Sequence, residues 1–229
     1  MVEGTAQAQT QGQTQPLRTR IKICGLTREA DVAAAVAAGA DALGFVLYEQ
    51  SPRHVTLDRA VALIQRLPPF VTPVLLFVNA APPALAQATQ ALPQALLQFH
   101  GDETPAQCRA AGSPWIRAVR MAAGVDLLDC CIRYQGAQAL LLDADVAHYG
   151  GSGKVFDWSQ IPPSVPLPVV LSGGLNPANV SDGVLCVRPW AVDVSSGVEV
   201  SKGVKSAELM RRFCQAVRSA DARAADTRI

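Results

Sequence analysis

An α/β architecture, a single-domain (β/α)8 barrel of the TIM-barrel type, is what these 229 residues predict, on three grounds. The length fits one complete barrel, for which ~200–250 residues is ordinary. Short β-rich apolar runs alternate with Ala- and Leu-rich segments of helical spacing from residue 20 onward, which demands parallel strands joined by long crossovers. Glycine-rich turns also follow the last two strands, where such barrels hold phosphate. An open doubly wound sheet is the competing architecture; eight units in this length favour closure.

The strands expected are Ile21–Cys24, Ala42–Val46, Thr72–Phe77, Ala95–Phe99, Trp115–Ala118, Ala139–Leu142, Pro168–Leu171 and Ala191–Val194. Helices are expected over Arg28–Ala38, Leu57–Arg66, Ala81–Ala91, Thr104–Ala111, Pro177–Gly183 and Ser206–Arg218. Thr27 caps the first, Thr56 the second, and Asn176 with Pro177 starts the fifth. Gly39 closes the first helix as a left-handed C-terminal cap. The sixth crossover, residues 144–167, carries Gly-Gly-Ser-Gly and Pro-Pro, so a short helix behind a mobile loop is expected there. The domain spans residues 20–220, between a Gln-, Thr- and Ala-rich disordered tail at 1–19 and a C-terminal tail at 221–229.

Composition narrows the class of partner. Nearly half the residues are apolar (49%), which argues against general disorder. Twenty basic and 19 acidic side chains leave a formal charge of +1, so no nucleic-acid or membrane partner is expected. Recognition of an anion must be local. The six cysteines form no Cys-x-x-Cys pair, and with no secretory signal they read as reduced thiols in a cytoplasm. Every long apolar run is interrupted by Pro, Gly or charge, so no membrane span is expected.

In barrels of this kind the reactive groups gather at strand C-termini. Strand one ends at Cys24, strand two leads to Ser51-Pro-Arg53, and strand four ends at Gln98-Phe-His100-Gly101. Strand six ends at Asp143, strand seven at Ser172-Gly173-Gly174, and strand eight at Asp193-Val-Ser195-Ser196-Gly197. The two last turns let the backbone approach an anion closely, although tight turns alone also want glycine. Cys24 is either a small buried hydrophobe or a base, and Asp143 either a helix cap or an acid. Arg53 is either a solvated cation or a fork for a substrate carboxylate at the mouth. His100 is as well suited to a structural role as to ligand contact, and Lys154 reads as a surface lysine. The three histidines, 54, 100 and 148, lie on separate segments, which argues against a metal cage.

At these positions the sequence resembles the phosphoribosylanthranilate isomerase family of tryptophan and aromatic amino acid biosynthesis. The matching segments include Lys22-Ile-Cys-Gly-Leu-Thr27, Asp41-Ala-Leu-Gly-Phe45, Ser51-Pro-Arg53, Gln98-Phe-His-Gly-Asp102 and Leu142-Asp-Ala144. They continue with Gly150-Gly-Ser-Gly153, Phe156-Asp-Trp158, Leu171-Ser-Gly-Gly-Leu175 and Val192-Asp-Val-Ser-Ser-Gly-Val-Glu199, so the likeness covers nearly all but the tail. Ser206 stands where the family often has Asp, a helix-cap exchange, and Phe99 where Leu is more usual.

The resemblance implies an isomerase that carries out an Amadori rearrangement of N-(5′-phosphoribosyl)anthranilate without cofactor or metal, as a monomer or homodimer. By the same resemblance Cys24 is the general base, Asp143 the general acid, and Arg53 holds the anthranilate carboxylate. Gly173, Gly174, Ser195, Ser196 and Gly197 cradle the phosphate, while Asp193 and His100 orient the sugar or the loops. The chemistry needs Asp143 protonated and Cys24 as thiolate, against their ordinary values of ~3.9 and ~8.5. The rival readings are another phosphosugar barrel, such as a pentose-phosphate epimerase or indole-glycerol-phosphate synthase, and a silent barrel that senses a phosphorylated metabolite.

Overall fold

The computed structural model describes residues 18–144 and 155–226. In chain order these form β1 (Arg20–Cys24), α1 (Glu29–Ala38), β2 (Ala42–Val46), α2 (Leu57–Ile64), β3 (Thr72–Phe77) and α3 (Pro82–Ala91). There follow β4 (Leu96–Phe99), α4 (Pro105–Ala110), β5 (Trp115–Met121), α5 (Leu127–Arg133), β6 (Leu140–Ala144), β7 (Val169–Leu171), α6 (Val180–Val187) and β8 (Ala191–Val194). A hairpin of β9 (Glu199–Ser201) and β10 (Val204–Lys205) precedes the last helix, α7 (Ala207–Asp226). The first eight strands close into a parallel barrel in sequence order, with β8 returning to β1 from Arg20↔Ala191 to Ile23↔Val194. Among the described residues no helix is long and apolar enough to cross a membrane.

Strand geometry decides which side chains reach the ligand face. Successive residues point to opposite sides, so positions two apart share one face. Phe45, Phe77 and Phe99 point outward and are buried in the layer beneath the helices, where Phe213 of α7 joins the same core. The other parity fills the barrel: Ile116, Ala118, Leu141, Val170 and Ala191 form a separate apolar cluster inside it. Two residues further along the same faces, Leu141 leads to Asp143, Val170 to Ser172 and Ala191 to Asp193. The packed floor and the polar mouth are consecutive layers of one pattern.

Several helix ends follow the sequence and others do not. Gly39 has φ 85° and its N–H caps α1, and the Thr56 hydroxyl accepts from Arg59 N at the start of α2. Thr27 does not cap α1; the N-cap position is Arg28, and the Thr27 hydroxyl donates to Gly203 O at 2.9 Å. Asn176 accepts from Ala178 N, but this closes only a turn, and α6 starts later at Val180. The sixth crossover holds a 3-10 turn at Trp158–Gln160, and its Gly-Gly-Ser-Gly stretch and Lys154 lie outside the described residues.

The chain ends are tied together. The last helix runs eight residues past Arg218, to Asp226, through positions that read as a tail. Its Asp221 accepts from Thr19 N at 2.8 Å and Thr19 Oγ1 at 2.7 Å, and Thr19 is buried. Most of the 1–19 stretch lies outside the described residues, but its last two positions are held, Arg18 by a two-pronged contact to Asp41. Asp221→Ala is expected to cost about 1–2 kcal/mol in denaturant unfolding, with m unchanged. A midpoint equal to the parent's would show that this latch contributes nothing.

Candidate active site

One cavity opens at the C-terminal ends of the strands. Its walls carry Cys24 from β1, Arg53 from the loop after β2, His100 after β4, Asp143 from β6 and Asp193 from β8. Gly173, Gly174, Ser195 and Ser196 from the last two turns edge the same cavity. Gly197 is not on its wall. A Cβ there would lie 1.9 Å from Leu175 O, so this glycine lets the two last turns pack against each other.

The thiol sits in a slot made by a glycine and surrounded by charge. A Cβ at Gly44 of β2 would come within 2.6 Å of the Cys24 sulfur, so only glycine leaves room for it. Cys24 is 4% exposed, and burial pushes its thiol up, against the pull of the Lys22 ammonium and, less strongly, Lys205. Lys22 lies two residues earlier on the same barrel-facing side and donates to Asp193 Oδ1 at 2.8 Å. Burial works against the Lys22 charge, yet Asp193 and Cys24 outweigh it and the ammonium is held above its ordinary value. Asp193 also accepts from Ser172 Oγ at 3.1 Å, so its carboxylate is committed to the wall of the site.

The carboxyl of Asp143 is engaged on both oxygens. Oδ1 accepts from Ala144 N at 2.9 Å, and Oδ2 lies 3.1 Å from His100 Nε2. The other ring nitrogen of His100 meets the Gln98 amide at 2.9 Å. His100 therefore touches the carboxyl expected to act as acid. Gly173 backs this arrangement: its φ is 77°, and a Cβ would lie 2.4 Å from Ala144 N and 3.0 Å from Asp143 Oδ1.

Arg53 reaches the cavity, but its fork is already occupied. Nε and Nη2 each donate to Glu199 at 2.8 Å, and the Glu199 carboxyl is also held by Lys205 Nζ at 2.8 Å. Burial raises the Glu199 carboxyl, but Arg53 and Lys205 outweigh it and hold the group below its usual range. Lys205 Nζ also donates to Ser195 O, and Ser195 Oγ donates to Cys24 O at 3.0 Å. The β9–β10 hairpin thus braces the last turn against the first strand.

Sequence reasoning left Lys22, Gln98, Ser172, Glu199 and Lys205 without a role. Two of them carried a signal: Lys22 in Ile-Lys-Ile-Cys and Gln98 in Leu-Leu-Gln-Phe are lone polar residues inside apolar strands, at the parity that faces the barrel. Such burial requires a partner. Glu199 and Lys205 carried none, because their meeting depends on a hairpin that only three- and two-residue strands define.

Comparison with known proteins agrees with this geometry. The family model described as N-(5′-phosphoribosyl)anthranilate (PRA) isomerase matches residues 21–216. The N-(5′-phosphoribosyl)anthranilate isomerase of Leptothrix cholodnii is 68% identical over 211 residues, covering 92% of this chain and 96% of that one. The crystal structure of phosphoribosyl anthranilate isomerase from Thermotoga maritima superposes with a TM-score of 0.82 at 39% identity, over 88% of this chain and 99% of that one. A further phosphoribosyl anthranilate isomerase structure, in complex with reduced 1-(o-carboxyphenylamino)-1-deoxyribulose 5-phosphate, gives 0.78 at 36% identity over the same shares. With near-complete coverage in both sequence and shape, the chain belongs to the N-(5′-phosphoribosyl)anthranilate isomerase family.

Proposed function

We propose that this chain isomerises N-(5′-phosphoribosyl)anthranilate to 1-(2-carboxyphenylamino)-1-deoxyribulose 5-phosphate, with Cys24 as general base and Asp143 as general acid. The observation that carries the assignment is that a thiol from β1 and a carboxyl from β6 edge one cavity, beside two glycine-rich turns. Asp143 gives its proton to the furanose ring oxygen while the nitrogen lone pair expels that oxygen from C1′. The resulting iminium ion acidifies the C2′ proton. The Cys24 thiolate removes it, and the enolamine that forms tautomerises to the ketone. Both side chains exchange a proton with the substrate, and both are held on rigid strands.

The remaining residues bind and shape. Peptide N–H groups around Gly173, Gly174, Ser195 and Ser196 take the phosphate, with Gly197 holding those turns together. Arg53, steadied by Glu199, offers Nη1 to the anthranilate carboxylate as a single charge-assisted contact rather than a fork. Asp193 orients Lys22 and Ser172 on the wall of the cavity that receives the sugar. The six cysteines are free, which suits a reducing cytoplasm, and the working form is a monomer or a homodimer.

Purified protein mixed with N-(5′-phosphoribosyl)anthranilate is expected to quench its anthranilate-type fluorescence catalytically; an unchanged signal ends this reading. Cys24→Ala and Asp143→Asn should each lower kcat by about 10²–10⁴-fold with unfolding midpoints kept, and near-parental turnover in either removes that residue from the chemistry. Arg53→Ala should raise KM far more than it lowers kcat. The contact is wrong if a substrate analogue without the carboxylate loses as much affinity in the variant as in the parent.

The raised thiol has a sign that kinetics can read. Burial holds the Cys24 thiol above its ordinary value, and Lys22 is the cation that pulls hardest toward the thiolate. Lys22→Met should push the thiol higher still, so neutral-pH kcat/KM falls roughly tenfold per unit and the upper break of the profile moves alkaline. An unmoved break in a folded variant would mean that Lys22 does not act on the thiol.

A further inference from the structure

The reaction needs a proton on the Asp143 carboxyl, and the described arrangement sets Oδ2 against His100 Nε2 and Oδ1 against Ala144 N. Gln98 Nε2 faces His100 Nδ1 at 2.9 Å; with the amide turned this way Nδ1 accepts, which assigns the ring proton to Nε2. That proton is aimed at Asp143 Oδ2, 3.1 Å away, in the place that an Asp143 O–H would otherwise use to reach the ring. Gln98 is fully buried, and its Oε1 has no hydrogen-bond partner. A buried amide oxygen without a donor is costly, and it marks an acceptor held in reserve.

We infer that Gln98 is a positioning residue that selects the protonated, acid-competent form of the His100–Asp143 pair by turning its side-chain amide through a half rotation. When the pair takes one proton from solvent, it holds two among Nδ1, Nε2 and Oδ2. Nδ1 must then carry a hydrogen and needs an acceptor, and the turned amide presents Oε1 to it. In the loaded pair Nε2 accepts from the Asp143 O–H; this O–H then swings from Nε2 to the substrate ring oxygen, and its bond to Oδ2 breaks as the bond to that oxygen forms, leaving a carboxylate and a neutral Nδ1–H imidazole. The spent pair has the Nε2 lone pair facing a carboxylate, a repulsion that favours uptake of the next proton. Either amide orientation leaves one polar atom of Gln98 without a partner, so the turn changes which proton state is favoured and not the number of orphaned groups. This inference rests on Asp143 being the acid.

The charged surroundings of the pair, among the described residues, do not replace Gln98. Across the cavity stand Cys24 and Lys22 of β1, Lys22 paired with Asp193 of β8, and Tyr48 and Arg53 after β2, Arg53 on Glu199. On the β5 side, Arg117 is bound to Glu103 and Gly101 O, and Arg120 is in register with Asp143; Asp102 lies on the loop after β4. The hydrogen bonds described to the imidazole itself come from Gln98 and Asp143.

The test is 15N NMR of the His100 ring against pH in the intact protein, with kcat/KM profiles alongside. In the parent, His100 should be the Nε2–H tautomer at high pH and gain a proton on Nδ1 as the pair loads. Gln98→Glu, which offers only acceptors, should raise the pair's pKa by about one unit, and Gln98→Leu, which offers none, should lower it, with the lower break of kcat/KM following each shift. A parent Nδ1–H tautomer at high pH overturns the inference, and needs no variant to fold. So do two folded variants that leave the pair's pKa unmoved or move it the same way. Turnover in Asp143→Asn separates the cases: an active variant defeats the acid assignment itself, whereas an inactive one with neutral Gln98 variants defeats only the role of Gln98.

Discussion

Lys22 and Asp193 face each other across the seam where β8 closes on β1, in register and 2.8 Å apart, with both side chains buried. Removing either partner would strand a charge inside the barrel, a loss of several kcal/mol in typical cases. The pair joins first strand to last and fixes the wall on which Ser172 leans. It also places a cation beneath the Cys24 thiol, pulling against the burial that holds this thiol above its ordinary value. Closure of the fold and the charge beside the proposed base therefore share one interaction.

The same economy runs around the ring. Strands β6, β7 and β8 each put an apolar residue into the barrel and, two positions on, a polar one at the mouth: Leu141 and Asp143, Val170 and Ser172, Ala191 and Asp193. A one-residue register slip would turn these groups outward into the helix layer. Because the groups stand on paired strands, their spacing is set by the barrel and not by loop conformation. Loops contribute the anion turns and Arg53, and the hairpin carrying Glu199 and Lys205 restrains them.

How much was legible in the sequence follows from how local each signal is. The eight strands were, since β-branched and aliphatic runs between turn residues need no partner to identify them. Cys24 and Asp143 stood out by position at strand ends. Arg53 was placed at the mouth, but its occupation by Glu199 was hidden, because 146 residues separate the two. Thr27 was misread as a cap because a tertiary acceptor, Gly203 O, takes its hydroxyl. The last helix runs on to Asp226 because Asp221 is anchored by Thr19, a contact across 202 residues that no window can see. Gln98 shows in the sequence only as a polar residue in an apolar strand; its meaning depends on an unpartnered buried oxygen, which no local pattern signals.

The central claim is that one sugar lies between the β1 sulfur and the β6 carboxyl with its phosphate on the last two turns. A crystal structure of this chain soaked with reduced 1-(o-carboxyphenylamino)-1-deoxyribulose 5-phosphate tests it most directly. The account predicts the Cys24 sulfur against C2′, the Asp143 carboxyl at the hydroxyl that was the ring oxygen, and the phosphate on Gly173, Gly174, Ser195 and Ser196. An analogue bound with its phosphate away from those turns, or with Cys24 and Asp143 on the same atom, would contradict it.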